Sequence, residues 1–188
     1  MNKEKKLRTI IKLFKRVITI LSERVAELVK KEKTFVAFAL AVRKSESSNR
    51  YNIVNSLGYL GAYQFGGARL CDLGYTKRIR QGWDNKAFVW KSGYSHKMFL
   101  GNPNFQDRVF KEHVINLLRT IDRKHKGSFG TLRNGVLITR SGCVAFAHLA
   151  GLGGLNNFLT TGFDPKDVSS GIPATTYMKK FANYSLVV

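Results

Sequence analysis

Hydrophobic residues recur along the N-terminal segment with the spacing of an amphipathic helix. Between positions 7 and 29 they alternate in steps of four and three: Leu7, Ile11, Phe14, Ile18, Leu21, Val25 and Leu28. Four more apolar residues widen the stripe, namely Ile10, Leu13, Val17 and Ile20. The pattern predicts a helix that packs on a folded domain, pairs with a partner helix or lies on an anionic membrane.

The polar positions of this helix are basic, and they argue against a membrane-spanning segment. They are Lys5, Lys6, Arg8, Lys12, Lys15, Arg16 and Arg24. Lys12, Lys15 and Arg16 interrupt the apolar run, so the segment is not expected to span a membrane. It also lacks the clean apolar core and small-residue cleavage site of a signal peptide. We therefore treat residues 1–33 as a basic amphipathic N-terminal helix that precedes a domain over residues 34–188.

The remaining chain is predicted to form helices that are separated by glycine-rich turns. Apolar periodicity indicates helices over 34–44, 68–73, 104–124, 141–150 and 177–184. The segment 51–67 contains four glycines and is expected to be a loop or a small hairpin region. No alternation of strands and helices is evident, so the predicted fold class is mainly α.

The charge of the chain indicates a polyanionic partner. The 188 residues include 32 Lys and Arg against 12 Asp and Glu, a formal net charge of +20. Such a field attracts nucleic acid, anionic membrane and the acidic polymers of a bacterial wall. Nucleic acid is the unlikely partner, because the basic residues are spread along the chain and no base-reading motif accompanies them.

No cofactor and no metal are predicted. The two cysteines, Cys71 and Cys143, stand in apolar surroundings and are expected to be reduced thiols. The four histidines lack the spacing of metal ligands. His148 lies within an apolar run and is interpreted as a hydrogen-bonded core residue.

Glu46 is the candidate for acid chemistry. It ends the apolar run 34–42, and no other acid follows until Asp72. Loss of solvation raises the pKa of a carboxyl group, and a carboxyl that stays protonated near neutral pH can donate a proton to a leaving oxygen. The alternative interpretation is an exposed helix-end carboxylate that Arg43 and Lys44 balance.

Aromatic and amide residues follow Glu46 closely. Tyr59, Tyr63 and Phe65 offer flat faces on which sugar rings can rest. Asn55 and Gln64 can form hydrogen bonds with hydroxyl or acetamido groups. Each aromatic side chain is equally compatible with a place in the core.

These residues resemble a known family. Glu46-Ser47 followed by Gly58-Tyr59-Leu60-Gly61-Ala62-Tyr63-Gln64 resembles the lysozyme-like superfamily, in its lytic transglycosylase and muramidase branch. The variant of the glycine motif, together with Phe99 to Pro103, Ala147 to Gly154 and Tyr177-Met178, is similar to a phage endolysin or secreted-effector subgroup. The resemblance covers roughly residues 35–184 and leaves the N-terminal helix outside it.

The resemblance implies a lysozyme-like α-helical domain that cleaves the β-1,4 bond between N-acetylmuramic acid and N-acetylglucosamine in peptidoglycan glycan strands. Glu46 would be the general acid and base. The expected substrate-binding residues are Ser47, Tyr51, Asn55, Tyr59, Tyr63, Gln64 and Phe65.

Two reaction types and one inactive alternative remain open. A hydrolase needs a second carboxylate, for which Asp72 is a possible second acid, although it is more simply a surface residue. Residues 47–71 contain no acid, so lytic transglycosylation by Glu46 alone is favoured. The alternative to an enzyme is a non-catalytic module that binds wall glycan or nucleic acid.

Further partners follow from the same interpretation. The basic helix is expected to favour anionic membrane or wall polymers, and an effector would have a neutralising immunity protein. Without an evident signal peptide, the protein is expected to be made in the cytoplasm and to act on the cell wall, in the periplasm or outside the cell, after release or injection.

Overall fold

The computed structural model describes residues 3–82, 84–167 and 170–187, without the side chains of residues 3–4 and 29–33. These residues form a mainly helical fold, so the predicted fold class is confirmed at that level. No helix among them is long and apolar enough to cross a membrane.

Six α-helices and two small sheets follow one another along the described chain. The helices are α1 (Lys3–Ser47), α2 (Gly67–Asp72), α3 (His96–Leu100), α4 (Pro103–His125), α5 (Arg140–Thr161) and α6 (Ala174–Lys180). Strands β1 (Thr76–Arg78) and β2 (Phe88–Trp90) pair antiparallel, as do β3 (Leu132–Arg133) and β4 (Val136–Leu137). The sequence analysis did not foresee α3 or either sheet, because their segments are too short to show periodicity.

The helices predicted over 7–29 and 34–44 are one continuous helix, α1. It ends where Ser48 and Asn49 adopt left-handed backbone conformations, with φ of 55° and 66°. Their amide groups donate to the carbonyl oxygens of Lys44 and Arg43, which closes the last turn. Glu46 is therefore held in the final turn of α1.

The core lies between the C-terminal part of α1 and helices α4, α5 and α6. Phe110 of α4 is at its centre, with its ring 6.1 Å from that of Phe38 in α1 and 4.0 Å from that of Tyr63. Phe38 also contacts Phe181, which follows α6, at 5.8 Å. These contacts fix the end of α1, and with it Glu46, against the rest of the domain.

Helix α5 is longer than predicted and changes direction at Gly151. Its backbone there has φ 72° and ψ 168°, which is outside the helical region and is a conformation that favours glycine. The predicted helix over 141–150 is thus the part before the kink. His148, Leu149 and Ala150 lie next to the kink and line a cavity.

The segment 51–67 is a turn-rich loop, as predicted, with isolated bridges between Val54 and Leu60 and between Leu60 and Phe65. The buried amide of Gln106 holds it in place. Its oxygen accepts from the amide of Ala62 at 2.8 Å, and its nitrogen donates to the carbonyl oxygen of Tyr51 at 2.9 Å. A Cβ atom on Gly61, whose φ is 70°, would overlap the Gln106 side chain. The clamp therefore requires glycine at this position.

Candidate active site

Glu46 lies in the wall of a cavity of about 370 Å³ between the end of α1, the 55–64 loop, α5 and the 165–167 segment. The cavity is lined by Glu46, Asn55, Leu57, Tyr59, Gln64, His148, Leu149, Ala150, Pro165, Lys166 and Asp167. A carboxyl group, a lysine and several amide and aromatic groups therefore face one space. This volume is typical of a ligand pocket.

The Glu46 carboxyl group is almost fully removed from solvent. Its side chain is 13% exposed, and its Oε1 atom is buried without a hydrogen-bond partner among the described residues. Burial raises the pKa of Glu46 to about 7; a hydrogen bond from Tyr177 lowers the pKa, the charge of Asp167 raises it, and that of Lys180 lowers it. The carboxyl group is thus partly protonated at neutral pH, as a general acid requires.

One chain of donors reaches Glu46 from Lys180. The Lys180 ammonium donates to Ser45 Oγ at 2.8 Å, and Ser45 Oγ lies 3.1 Å from the Tyr177 hydroxyl. Tyr177 is hydrogen-bonded to Glu46. When Glu46 is ionised it can only accept, so Tyr177 must donate to it and Ser45 must donate to Tyr177.

A second chain of hydrogen bonds runs from Arg69 through His113 to His148, which lies next to Glu46. Arg69 Nε donates to His113 Nδ1 at 2.6 Å, and His113 Nε2 lies 3.0 Å from His148 Nδ1. Since arginine only donates, His113 Nδ1 must accept, and the proton of neutral His113 is on Nε2. This N–H group donates to His148 Nδ1. The proton of neutral His148 is then on Nε2, which lies 3.9 Å from Glu46 Oε1.

His113 and His148 are both neutral in this series of hydrogen bonds. Burial lowers the pKa of His148 to about 4 and that of His113 well below its usual value, and the charge of Arg69 lowers both further. A backbone hydrogen bond with Tyr63 acts in the opposite direction and raises the pKa of His148. His148 was predicted to be a hydrogen-bonded core residue. The hydrogen bond is present, to His113, but His148 lines both cavities instead of lying in the core, with Nε2 3.9 Å from Glu46 Oε1.

Burial and hydrogen bonding act on Glu46 in opposite directions. Burial favours the protonated acid before reaction. The Tyr177 hydroxyl favours the carboxylate that remains after the proton has left. Each chain begins at a cationic side chain, which polarises the donors that follow it.

A second cavity, of about 300 Å³, continues the first. The two share Tyr59, Gln64 and His148 in their linings and therefore adjoin; together they are called the groove. Arg69 and Asp72 line the second cavity. A groove with two adjoining compartments can hold adjacent residues of a linear polymer.

Four of the predicted substrate-binding residues line the groove, three of them in the first cavity and Phe65 in the second. Asn55, Tyr59 and Gln64 all share the first cavity with Glu46, and Tyr59 is 39% exposed. Asn55 Oδ1 accepts from the amides of Leu57 and Tyr59, at 3.0 and 2.9 Å, and so shapes the turn that presents the Tyr59 ring.

Tyr63 and Phe65 are core residues, and each is 1% exposed. The ring of Tyr63 stacks on Phe110, and its hydroxyl donates to Asp107 at 2.7 Å. Phe65 packs with its ring 5.5 Å from His113 and 6.1 Å from His148. Tyr63 lines neither cavity and packs in the core, whereas Phe65 is buried beneath the second cavity and contributes to its lining. Both rings pack against residues that hold the loop and the histidine pair in place.

Ser47 and Tyr51 also have structural partners. Ser47 is 4% exposed, and its hydroxyl donates to the carbonyl oxygen of Ala62 at 3.0 Å. The Tyr51 hydroxyl donates to Asp107 at 2.8 Å, and Arg43 forms a salt bridge to the same carboxylate at 3.1 Å. These contacts join the end of α1 to the loop and to α4, and they position Glu46. Neither residue lines the cavity that contains Glu46.

The structure brings a different second carboxylate to Glu46 than the one expected. Asp72 lines the second cavity, where its side chain is 67% exposed and pairs with Arg69 at 3.4 Å. Asp167 shares the first cavity with Glu46, and Ser170 donates to it from its amide and hydroxyl groups. Sequence reasoning missed Asp167 because nothing local relates it to Glu46. Tyr177 belongs to the segments that carry the family resemblance, but the sequence assigned it no role.

Comparisons of the chain with protein-family models, curated proteins and solved structures returned no match. Within the described part of the chain, no group of three or more His, Cys, Asp or Glu side chains is placed to hold a metal ion.

Proposed function

We propose that the protein cleaves peptidoglycan as a glycosidase, with a lysozyme-like α-helical domain over residues 34–188 and Glu46 as its general acid and base. The observation that carries this proposal is a buried carboxyl group, with a pKa of about 7, in the wall of a groove and hydrogen-bonded to Tyr177. The resemblance of its surrounding motif to the lysozyme-like superfamily supplies the substrate, the bond between N-acetylmuramic acid and N-acetylglucosamine.

In the first step, protonated Glu46 donates its proton to the glycosidic oxygen while the bond from that oxygen to C1 of the muramyl ring breaks. Positive charge develops on C1 and the ring oxygen, and the N-acetylglucosamine part leaves as an alcohol. The new Glu46 carboxylate is stabilised by Tyr177. Tyr59 supplies the exposed ring, and Asn55 and Gln64 the amide groups, that hold the sugars.

In the second step, the Glu46 carboxylate removes the proton of the muramyl 6-hydroxyl, and that oxygen forms the bond to C1. The product is an anhydro-sugar, and no water is consumed. This lytic transglycosylation is the favoured course because it needs only one carboxylate. Hydrolysis is the second candidate, since Asp167 faces the same cavity and would activate water or attack C1.

The proposal is tested by turbidity clearing and muropeptide release from purified peptidoglycan. Glu46→Gln is expected to lower the rate on the order of 10²–10⁴-fold, since it keeps the shape but removes the proton donor. Asp72→Asn, the same change at an exposed carboxylate of the groove, is the matched control and should keep the rate within a few-fold. Equal rates for wild type and Glu46→Gln, or no clearing by either, would sink the enzymatic assignment.

Mass spectra of the released muropeptides separate the two reaction types, because anhydro ends and reducing ends differ by one water. We expect anhydro ends, and we expect Asp167→Asn to release the same product. Reducing ends throughout, lost with Asp167→Asn, would replace transglycosylation by hydrolysis. Cosedimentation with peptidoglycan without any release of fragments would favour the non-catalytic binding module.

A further inference from the structure

The N-terminal part of α1, residues 5–28, exposes an apolar stripe. Every residue in this range is exposed. Eleven large apolar side chains are between 46% and 65% exposed: Leu7, Ile10, Ile11, Leu13, Phe14, Val17, Ile18, Ile20, Leu21, Val25 and Leu28. Soluble proteins rarely leave contiguous apolar patches of this kind without a partner.

Most of the basic residues lie on the side of the helix opposite the stripe, while Lys6 and Arg24 fall within the apolar arc. At about 100° per residue, the apolar side chains cover an arc of about 180° whose centre is near Phe14 and Leu21. Lys12 and Thr19 lie near the middle of the opposite face. Five basic residues share that face: Lys5, Arg8, Lys12, Lys15 and Arg16.

Charge decides which partner fits this surface. Residues 5–28 contain seven Lys and Arg and two acids, Glu23 and Glu27. The stripe also fits a heptad, with Ile11, Ile18 and Val25 at one core position. The apolar arc is wider than a two-stranded seam, however, and the excess of seven basic over two acidic residues leaves each copy with a net charge of +5 over this range. Self-association would therefore bring like charges together.

We propose that residues 5–28 of α1 bind the surface of an anionic lipid bilayer. The apolar stripe would lie at the boundary of the acyl chains, and the basic face would contact lipid phosphates. This inference is independent of the proposed glycosidase activity, because it concerns a surface that contains no residue of the groove.

The test uses the full chain and vesicles that contain no glycan. Binding is measured by cosedimentation with vesicles of phosphatidylglycerol and phosphatidylcholine, and with vesicles of phosphatidylcholine alone. We expect at least tenfold tighter binding to the anionic vesicles, and binding that weakens as salt is added. Lys12→Gln, Lys15→Gln and Arg16→Gln together should weaken it roughly a hundredfold, at about fivefold per charge.

A matched pair of double variants tests the stripe itself. Phe14→Asn with Leu21→Asn should weaken binding on the order of a hundredfold, because both side chains leave the acyl boundary. Thr19→Asn with Ala26→Asn places the same residue, at the same spacing, on the polar face and should bind like wild type. Circular dichroism establishes that both variants keep their helix.

Three outcomes would overturn the proposal. One is a lack of binding of the wild-type chain to anionic vesicles. Another is equal binding by the two double variants. The third is that sedimentation equilibrium shows a stable oligomer of the wild-type chain, which does not bind vesicles, and that Phe14→Asn with Leu21→Asn is monomeric. This result would assign the stripe to contact with a second copy of the chain. None of these results depends on Glu46→Gln, so failure here and failure of the glycosidase proposal are distinguishable.

Discussion

The two parts of α1 share one secondary structure and have opposite surroundings. Residues 5–28 expose their apolar side chains, whereas Phe38, Ala39 and Val42 in the C-terminal part are buried in the domain core. The phenylalanines show the contrast best, since Phe14 is 65% exposed and Phe38 is 0% exposed. Apolar periodicity thus specifies a helix, but it does not specify what covers the helix.

The same contrast separates the acidic residues of the helix. Glu27 pairs with Arg24 at 2.9 Å, but both side chains are mostly exposed, and such a pair adds little stability. Glu46 is in the buried part, where loss of solvation raises its pKa to about 7. Burial therefore turns one of several helical glutamates into a candidate acid catalyst.

The largest expected effect compares the two phenylalanines. Phe38→Ala should lower the free energy of unfolding by about 3–5 kcal/mol, because it leaves a cavity among Phe110, Phe181 and Tyr184. Phe14→Ala should change it by less than about 0.5 kcal/mol. Chemical denaturation of the full chain measures both. A large loss for Phe14→Ala would show that the stripe packs on the domain after all.

The next prediction concerns the pH dependence of stability. The pKa of Glu46 rises from 4.5 to about 7 in the folded protein, so stability is present below pH 4.5 and is lost as pH rises through 7. Glu46→Gln removes this loss. Its unfolding free energy, relative to wild type, should rise by about 3 kcal/mol between pH 4.5 and pH 8.

Glu23→Gln is the matched control on the exposed part of the helix. Its free energy of unfolding should stay within about 0.5 kcal/mol of the wild-type value at pH 4.5 and at pH 8. If Glu46→Gln behaves like this control, then Glu46 is not desolvated in the folded protein and the two parts of α1 do not differ electrostatically.

The smallest expected effect concerns the donor chain through Tyr177. Its hydrogen bond lowers the pKa of Glu46, so Tyr177→Phe should raise that pKa. For the proposed cleavage of peptidoglycan, the alkaline limb of the pH–rate profile should move to higher pH by the same amount, since a proton donor stays competent up to its pKa. Carbon-13 NMR of the Glu46 carboxyl group measures the shift without turnover.

Tyr184→Phe is the control for this prediction, because Tyr184 packs against Phe181 rather than facing Glu46. An unchanged Glu46 pKa in Tyr177→Phe would show that the chain from Lys180 does not act on the carboxyl group. A shift of equal size in both variants would indicate a general effect of packing.

Much of the architecture was predictable because it rests on local patterns. Helices over 34–44, 104–124 and 141–150 follow from periodicity, and the loop over 51–67 follows from its glycines. The directions of aromatic side chains within that loop were not predictable. Tyr59 and Tyr63 stand in the same glycine-rich motif, yet only Tyr59 faces the groove. The choice depends on Gln106 and Phe110, which α4 brings to the loop from far along the chain.

The second carboxylate shows the same limit. Sequence order suggested Asp72, the next acid after Glu46, whereas the fold places Asp167 in the cavity with Glu46. The kink of α5 at Gly151 and the segment before α6 bring His148 and Asp167 there. Neither contact has a local signal, since both join residues that are distant in the chain.

By itself, the sequence determined the mainly helical class, the basic charge, the amphipathic N-terminal helix and the prominence of Glu46. These properties depend on residue type and on spacing along a single element. Only the tertiary structure decided that Glu46 loses its solvent, which residues donate toward it, and which aromatic rings remain accessible. Solvation and hydrogen bonding depend on neighbours in space, and the packing of α1, α4, α5 and α6 chooses those neighbours.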